Sequence, residues 1–215
     1  MTPTLWVVGA GGHAGVVADA ALAGGRWREV AFFDDRWPQL ATVRHGPVLG
    51  PVQALRERLA ALAGAAAPEV IVAVGDNVRR LALSRELVAA GATLATVLHP
   101  SAVLSPSARV GPGSLVAAGA VLNPGARVGL AGIVNTRASV DHDCTVGDGV
   151  HLCPGVTLAG NVQIGDLAWV GIGSCVIQGR SIGAGALVGA GAVVIADVEA
   201  GTTVVGCPAK EKKTG

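Results

Sequence analysis

A six-residue repeat of aliphatic side chains dominates the second half of this 215-residue chain. The residue two places before nearly every aliphatic position is small or β-branched, and Arg180 is the clear exception. An α-helix needs a period near 3.6 residues and an ordinary strand a period of 2, so a period of six indicates a repeat architecture. The sixteen unbroken positions are Leu104, Val110, Val116, Leu122, Val128, Val134, Val140, Val146, Leu152, Leu158, Ile164, Val170, Val176, Ile182, Val188 and Val194.

Each repeat is expected to supply one short extended side of a coil. Because strand side chains alternate, the aliphatic residue and the small residue two before it should both point inward. The residue after the aliphatic one is often Gly, Asn or Asp, types that tolerate a tight corner. The pattern resembles the hexapeptide repeat of the left-handed parallel β-helix, in which three repeats close one triangular coil. It therefore predicts an all-β prism of about five coils without a protruding loop.

The first hundred residues show a different pattern, in which strands alternate with helices. This alternation predicts an α/β architecture with a Rossmann-like parallel sheet. Pro100 opposes a continuing helix or central strand, so the junction is expected at His99-Pro100-Ser101. We expect a Rossmann-like domain over residues 1–98 and a left-handed β-helix over residues 99–215. Strands are predicted at 5–8, 29–33, 70–74 and 93–98, and helices at 16–22, from residue 51, and at 78–90.

Polar residues follow three of the predicted strands, where ligands bind in parallel α/β sheets. The first of these loops is glycine-rich and runs into a helix N-terminus, so its N–H groups can face a phosphate. It also matches the dinucleotide pattern GxGxxA, but about four strands make only half of a dinucleotide fold. A tight turn without a ligand is the alternative. The loops are Gly11-Gly12-His13, Asp34-Asp35 and Gly75-Asp76.

Composition narrows the classes of partner. The net charge is +1 and charged residues make up 14%, which gives no field for nucleic acid or an acidic membrane surface. No apolar run is long enough for membrane insertion. The 4 cysteines show no CxxC pair, and reduced packing thiols in the cytoplasm are expected. Few charges and abundant aliphatic residues favour flat faces that are buried against other subunits.

The repeat contains one histidine suited to proton transfer. His142 lies just past a corner between Asp141 and Asp143, and its side chain is expected to face outward. A carboxylate beside an imidazole can hold one tautomer and raise its basicity, as a general base requires. Gly160 lies one coil further on, where its N–H could donate to an oxyanion. A merely solvated corner is the alternative.

These motifs, together with Asn135-Thr136 and the terminal Gly206-Cys207-Pro208-Ala209-Lys210, resemble one family along nearly the whole chain. It is the family of acetyl-CoA-dependent acyltransferases that join a small Rossmann-like domain to a left-handed β-helix. Members acetylate nucleotide-linked 4-amino-4,6-dideoxy sugars, and relatives are sialic acid O-acetyltransferases. Within it, the chain is most similar to members that act on GDP-perosamine, with UDP-linked sugars of the bacillosamine type next.

The resemblance implies a set of site residues and an assembly. His142 would be catalytic, with Asp143 as its acidic neighbour. Acetyl-CoA would contact His151, Ile172 and Ala190, and Lys210 could meet its phosphates unless the basic tail is merely solvated. The assembly would be a homotrimer with sites between subunits, without a metal. The nucleotide-sugar contacts would be Gly11, Gly12, His13, Asp34, Asp35 and Gly75.

The expected reaction is N-acetylation by direct attack, with His142 accepting the amine proton and Gly160 N–H stabilising the oxyanion. Sugar O-acetylation is the main alternative, because sequence does not separate amine from hydroxyl acceptors. A zinc enzyme on the same prism needs three histidines, whereas His142 and His151 are the only ones within the repeat and His99 lies at its edge. An NAD-dependent enzyme or a purely structural β-helix would explain only one half of the chain.

Overall fold

The computed structural model of the chain describes residues 3–62 and 68–212. These fall into two units, the first ending at Pro100 and the second beginning at Ser101. No helix of the described residues is both long and apolar enough to cross a bilayer.

The first unit is built on a parallel sheet in the order β2-β1-β5, as the alternating pattern predicts. Helices α2 and α3 place Leu55 and Leu87 in a core with Trp6 and Phe33, whose rings meet edge to face at 5.4 Å. The elements are β1 (Thr4–Val8), α1 (Gly12–Ala23), β2 (Glu29–Phe33), β3 (Thr42–Val43), β4 (Gly46–Pro47), α2 (Val52–Ala61), β5 (Val70–Val72), α3 (Asn77–Ala89) and β6 (Val97–Leu98).

Two elements of the first unit differ from their predicted bounds. Helix α1 begins at Gly12, four residues before the predicted start, because Gly11 is extended and serves as its N-cap. The strand predicted at 93–98 is broken: only Leu94 bridges to Val70, and β6 is two residues long. The sheet edge is therefore shorter than the apolar run suggests.

The second unit is a coil of short strands, nearly all two residues long, that form three faces, and within each face the strands of successive coils pair in parallel. Partners in successive coils lie eighteen residues apart, as in Val121 opposite Val103. The first face holds β7 (Val103–Leu104), β10 (Val121–Leu122), β13 (Ser139–Val140), β16 (Thr157–Leu158), β19 (Cys175–Val176) and β22 (Val193–Val194). The second holds β8 (Arg109–Val110), β11 (Arg127–Val128), β14 (Thr145–Val146), β17 (Gln163–Ile164) and β20 (Ser181–Ile182). The third holds β9 (Leu115–Val116), β12 (Ile133–Val134), β15 (His151–Leu152), β18 (Trp169–Val170), β21 (Leu187–Val188), β23 (Thr203–Val205) and the antiparallel β24 (Lys210–Glu211).

This coil is the predicted left-handed β-helix, but it makes about six turns rather than five. The repeat run ends at Val194 because the next inward residue, Val198, follows after only four residues. Val198 bridges to Ile182 and Val204 pairs with Val188, so the last coil is two residues shorter than the others. A count based on a strict period of six stops one coil early.

The interior matches the repeat. The aliphatic residues from Val116 to Val194 and nearly all the small residues two before them are buried. Arg180, the misfit, is partly exposed, donates to the Gln178 carbonyl and approaches Asp197 at 3.7 Å.

The predicted position of the corner was wrong by two residues. The left-handed φ falls three residues after the aliphatic one, as at Asp143 and Asn161, rather than directly after it. Glycine directly after the aliphatic residue instead allows the backbones of successive coils to stack closely. A Cβ at Gly165 would lie 2.5 Å from the Ala184 nitrogen of the next coil.

Gly165→Ala is therefore expected to destabilise the coil by about 3 kcal/mol, because the added methyl meets backbone that cannot move aside. Gly185→Ala is the matched control, since its φ is +65° but a Cβ there meets no atom within 4 Å. It should cost about 1 kcal/mol, the price of a left-handed alanine. Thermal unfolding of both variants tests this, and equal losses would contradict the stacking explanation.

Candidate active site

The corner between β13 and β14 holds an exposed imidazole against a carboxylate. The His142 side chain is 59% exposed, and its Nδ1 lies 2.9 Å from Asp143 Oδ2. This hydrogen bond is the main reason that the pKa of His142 is raised above its ordinary value. The pair leaves Nε2 as the ring nitrogen that can meet a substrate proton.

The second carboxylate at this corner serves the backbone rather than the ring. Asp141 Oδ1 accepts hydrogen bonds from the His142 N–H at 2.7 Å and from Asn123 Nδ2 at 2.7 Å. These two bonds hold the pKa of Asp141 below its usual range. Asp143 therefore orients the imidazole, and Asp141 fixes the chain that carries it. Asn123, one coil before Asp141, has a part in this arrangement that sequence reasoning missed.

Two glycines make room for the pair. A Cβ on Gly160 would collide with Nε2 of His142, so the ring lies directly against this glycine. A Cβ on Gly125, one coil before Asp143, would lie 2.6 Å from Asp143 Oδ1. Among the described residues, no acceptor takes the Gly160 N–H, whereas its carbonyl accepts from Gly179. The coils on either side of the His142–Asp143 pair thus carry glycine where a larger residue would collide with the imidazole or the carboxylate.

Gly160→Ala should move the His142 ring and lower turnover by about 10², because small misplacements of a reacting group are costly. Thermal stability should barely change, since the ring is exposed and can swing into solvent. The control is the same substitution in a His142→Ala background, where it should cause no further loss. A loss of equal size in both backgrounds would mean that the methyl acts elsewhere.

An apolar groove of about 320 Å³ lies at a different corner, between the third and first faces. His151, Trp169 and Leu187 occupy the same register position in successive coils along it. The His151 and Trp169 rings meet edge to face at 4.4 Å. The predicted cofactor residues His151, Ile172 and Ala190 all line this groove, and Lys210 does not.

Polar groups mark one end of the groove. Asn135 Oδ1 accepts from the Thr136 N–H at 2.8 Å, so its amide nitrogen must be the donor toward His151 Nε2 at 3.1 Å. Burial raises the pKa of the Cys153 thiol in the groove to about 11, so it is protonated at neutral pH. Cys144 points inward as predicted, and burial raises the pKa of its thiol too. A cysteine nucleophile has no support here.

A second cavity, of about 330 Å³, lies at the carboxyl end of the first unit's sheet. Asp34 accepts from Arg36 through both oxygens, at 2.8 and 2.9 Å, and from the Ala10 N–H at 2.8 Å. These contacts hold the pKa of Asp34 at about 2. Asp35 Oδ1 accepts from the Val52 N–H at the start of α2. Asp34 and Asp35 both line this cavity.

The other predicted nucleotide-sugar residues do not line it. Gly11 and Gly12 are exposed at the N-terminus of α1. The Gly75 carbonyl accepts from Arg80, a buried cation that also donates to the Val74 carbonyl and to Asn77. Burial and the nearby Arg80 charge lower the pKa of His13 to about 4, so this histidine is neutral at pH 7.

The described residues contain no group of three or more His, Cys, Asp or Glu side chains that could hold a metal ion.

Comparison with known proteins extends these observations. Residues 4–87 match the model of the PglD N-terminal domain. The acetyltransferase domain of PglB from Neisseria gonorrhoeae FA1090, solved with acetyl coenzyme A, is 40% identical with a TM-score of 0.92 over 99% of this chain and 100% of that one. PerB from Caulobacter crescentus, solved with CoA and GDP-perosamine, is 40% identical with a TM-score of 0.89 over 98% and 97%. WeeI from Acinetobacter baumannii AYE is 31% identical, with a TM-score of 0.87 over 97% and 99%. No curated protein matches the chain.

Proposed function

The chain belongs to the hexapeptide-repeat family of nucleotide-sugar acetyltransferases, and from this premise we propose that it moves the acetyl group of acetyl-CoA to the 4-amino group of a nucleotide-linked 4-amino-4,6-dideoxy sugar. The observation that carries the mechanism is the exposed His142 imidazole fastened to Asp143 at 2.9 Å. GDP-perosamine is the favoured acceptor because PerB, at 40% identity, was solved with it.

His142 takes the proton that the attacking amine loses as the amide forms. A sugar amine is mostly protonated at neutral pH, and only the fraction that has released this first proton to solvent attacks a thioester carbonyl. His142 Nε2 accepts a proton as the C–N bond forms, and Asp143 stabilises the imidazolium through Nδ1. The C–S bond then breaks, and the coenzyme A sulfur leaves with the proton that His142 returns. Gly160 N–H supports the oxyanion between these steps.

The apolar groove suits the pantetheine arm of acetyl-CoA. Its walls are Ile172, Leu187 and Trp169, and its polar end is the Asn135–His151 pair. Along the chain, His142 lies between Asn135 and His151, within one turn of the coil. The polar end of the groove and the imidazole therefore differ in height along the coil axis by no more than about one coil spacing of 4.8 Å. The thioester is therefore placed at the Asn135 end, and Ala190 lies toward the other end.

The acceptor is held by the first unit. The Asp34–Asp35 cavity and the α1 N-terminus are the places for the nucleotide, since unpaired helix N–H groups attract phosphate. Gly11, Gly12, His13 and Gly75 keep their proposed roles at this edge of the sheet.

We infer that complete sites form between three copies of the chain. In one copy, the groove and His142 lie at opposite corners of the first face, roughly 20 Å apart for about six extended residues. In a threefold ring with first faces inward, one copy's His142 corner meets the next copy's groove corner. The outward residues of this face carry no charge, which favours its burial. They are Val103, Val121, Ser139, Thr157, Cys175 and Val193.

Both co-substrates must be present in one compartment, and we infer the cytoplasm. The four cysteines are free thiols, in keeping with a reducing environment.

An assay with acetyl-CoA and GDP-, UDP- and dTDP-linked 4-amino sugars tests the function. We expect release of free coenzyme A thiol with at least one amine acceptor, and an amide in the product by NMR. An ester product would identify an O-acetyltransferase, and absence of release with the whole panel would contradict the proposal.

A further inference from the structure

Four charged side chains of the described residues line the cavity at the end of the first unit's sheet. Two of them, Asp34 and Arg36, bind one another through two parallel hydrogen bonds. Asp34 also accepts from two backbone N–H groups, of Ala10 and Arg36. The pair therefore braces the loops of β1 and β2 and has little capacity left for a ligand.

Asp35 and Arg79 remain able to form hydrogen bonds with a ligand. Asp35 Oδ1 accepts from the Val52 N–H at 3.0 Å, and its side chain is 58% exposed. Arg79 lies at the start of α3, where its Nη2 stands 3.6 Å from Asp35 Oδ2 and its side chain is 62% exposed. The cavity beside them has an apolar wall that includes Val52, Val74 and Leu83. An acceptor and a donor thus stand side by side above an apolar surface.

We propose that Asp35 and Arg79 read the base of the nucleotide sugar and select guanine, an inference that rests on the proposed function. On the guanine ring the N1–H donor and the O6 acceptor are neighbours, so their partners must also be neighbours. Asp35 Oδ2 and Arg79 Nη2 fit this requirement at 3.6 Å. The apolar wall takes one face of the base.

The group that flanks the ring N–H donor on the side opposite the shared carbonyl distinguishes guanine from uracil. Uracil also has an N–H donor beside a carbonyl, but its second carbonyl would face the Asp35 carboxylate. Guanine places its N2 amino group there, which donates to the carboxylate. Hypoxanthine has neither a carbonyl nor an amino group at this position. Adenine has an acceptor where guanine has the N1–H donor, so it is rejected.

Calorimetric titration of the full-length protein with GDP, IDP and UDP tests the proposal. Wild-type protein should bind GDP at least about tenfold more tightly than UDP, with IDP between them. In Asp35→Asn the Oδ1 atom still caps α2, but an NH₂ group replaces the accepting oxygen. This variant should lose the preference for GDP over both IDP and UDP, while its melting temperature stays unchanged.

Arg79→Met is the second variant, because it removes the donor to a carbonyl that guanine and uracil share. It should weaken GDP and UDP equally and leave their ratio unchanged. Equal binding of GDP and UDP by wild-type protein, no binding of either, or a GDP preference that survives Asp35→Asn would overturn the proposal. Selective GDP binding without acetyl transfer to any acceptor would instead reject the proposed function. Equal transfer to GDP- and UDP-linked sugars would reject only the base reading.

Discussion

His142→Ala is expected to lower kcat by at least about 10², since removal of a positioned general base typically has this effect. The imidazole is 59% exposed, and among the described residues its one side-chain hydrogen bond is to Asp143, so folding should not depend on it. KM values for both co-substrates should change little, because the ring acts on the proton rather than on binding. Steady-state release of coenzyme A thiol measures the effect.

The matched control for this substitution is Gln178→Ala. Gln178 occupies the equivalent corner position two coils further on and is also exposed. It should retain normal turnover, and both variants should keep the melting temperature of the wild type. Near-normal turnover of His142→Ala would remove this residue from the mechanism.

Asp143→Asn is expected to give the second-largest change, visible in the pH profile. The hydrogen bond to Asp143 raises the pKa of His142 above 6.5, so the wild-type rate should rise with pH through a midpoint above that value. Without the carboxylate the pKa falls back, and the midpoint should move to lower pH. The plateau rate should also fall, roughly tenfold, because the base is weaker and its ring less well held.

The sign of the shift makes this test specific. A lower pKa leaves more unprotonated imidazole at pH 6, so the variant should lose less activity there than at pH 8, relative to wild type. Asp141→Asn is the comparison, because Asp141 holds the backbone and contributes less to the pKa of His142. An unmoved midpoint in Asp143→Asn would mean that another group limits the acidic side of the profile.

The repeat made the β-helix predictable, because inward positions obey one spacing in every coil. What it could not supply was the conformation of the corners. Left-handed residues include Ala131, Arg137 and Leu167, types that carry no turn signal, so composition pointed to the wrong corner position. The sixth turn was missed for a similar reason, since Val198 breaks the spacing while keeping its place in the core.

The hydrogen-bonded pair of His142 and Asp143 was predictable because the two residues are adjacent in the chain. Asn123 and Gly125 could have been found by stepping back eighteen residues, the coil length. The contacts of Arg36 and Arg80 in the first unit could not, because they depend on how separate loops meet beyond the strands. No periodic signal relates Arg80 to the carbonyls of Val74 and Gly75.

Mixed assemblies give the most direct test of a catalytic site shared between copies. Ile172→Glu places a charge in the apolar groove and should abolish acetyl-CoA binding, just as His142→Ala removes the base. If one copy's imidazole serves its neighbour's groove, co-refolded equal mixtures of these two inactive variants should recover about one quarter of wild-type activity, the chance that an interface receives both intact halves. Mixtures as inactive as the separate variants would contradict the account.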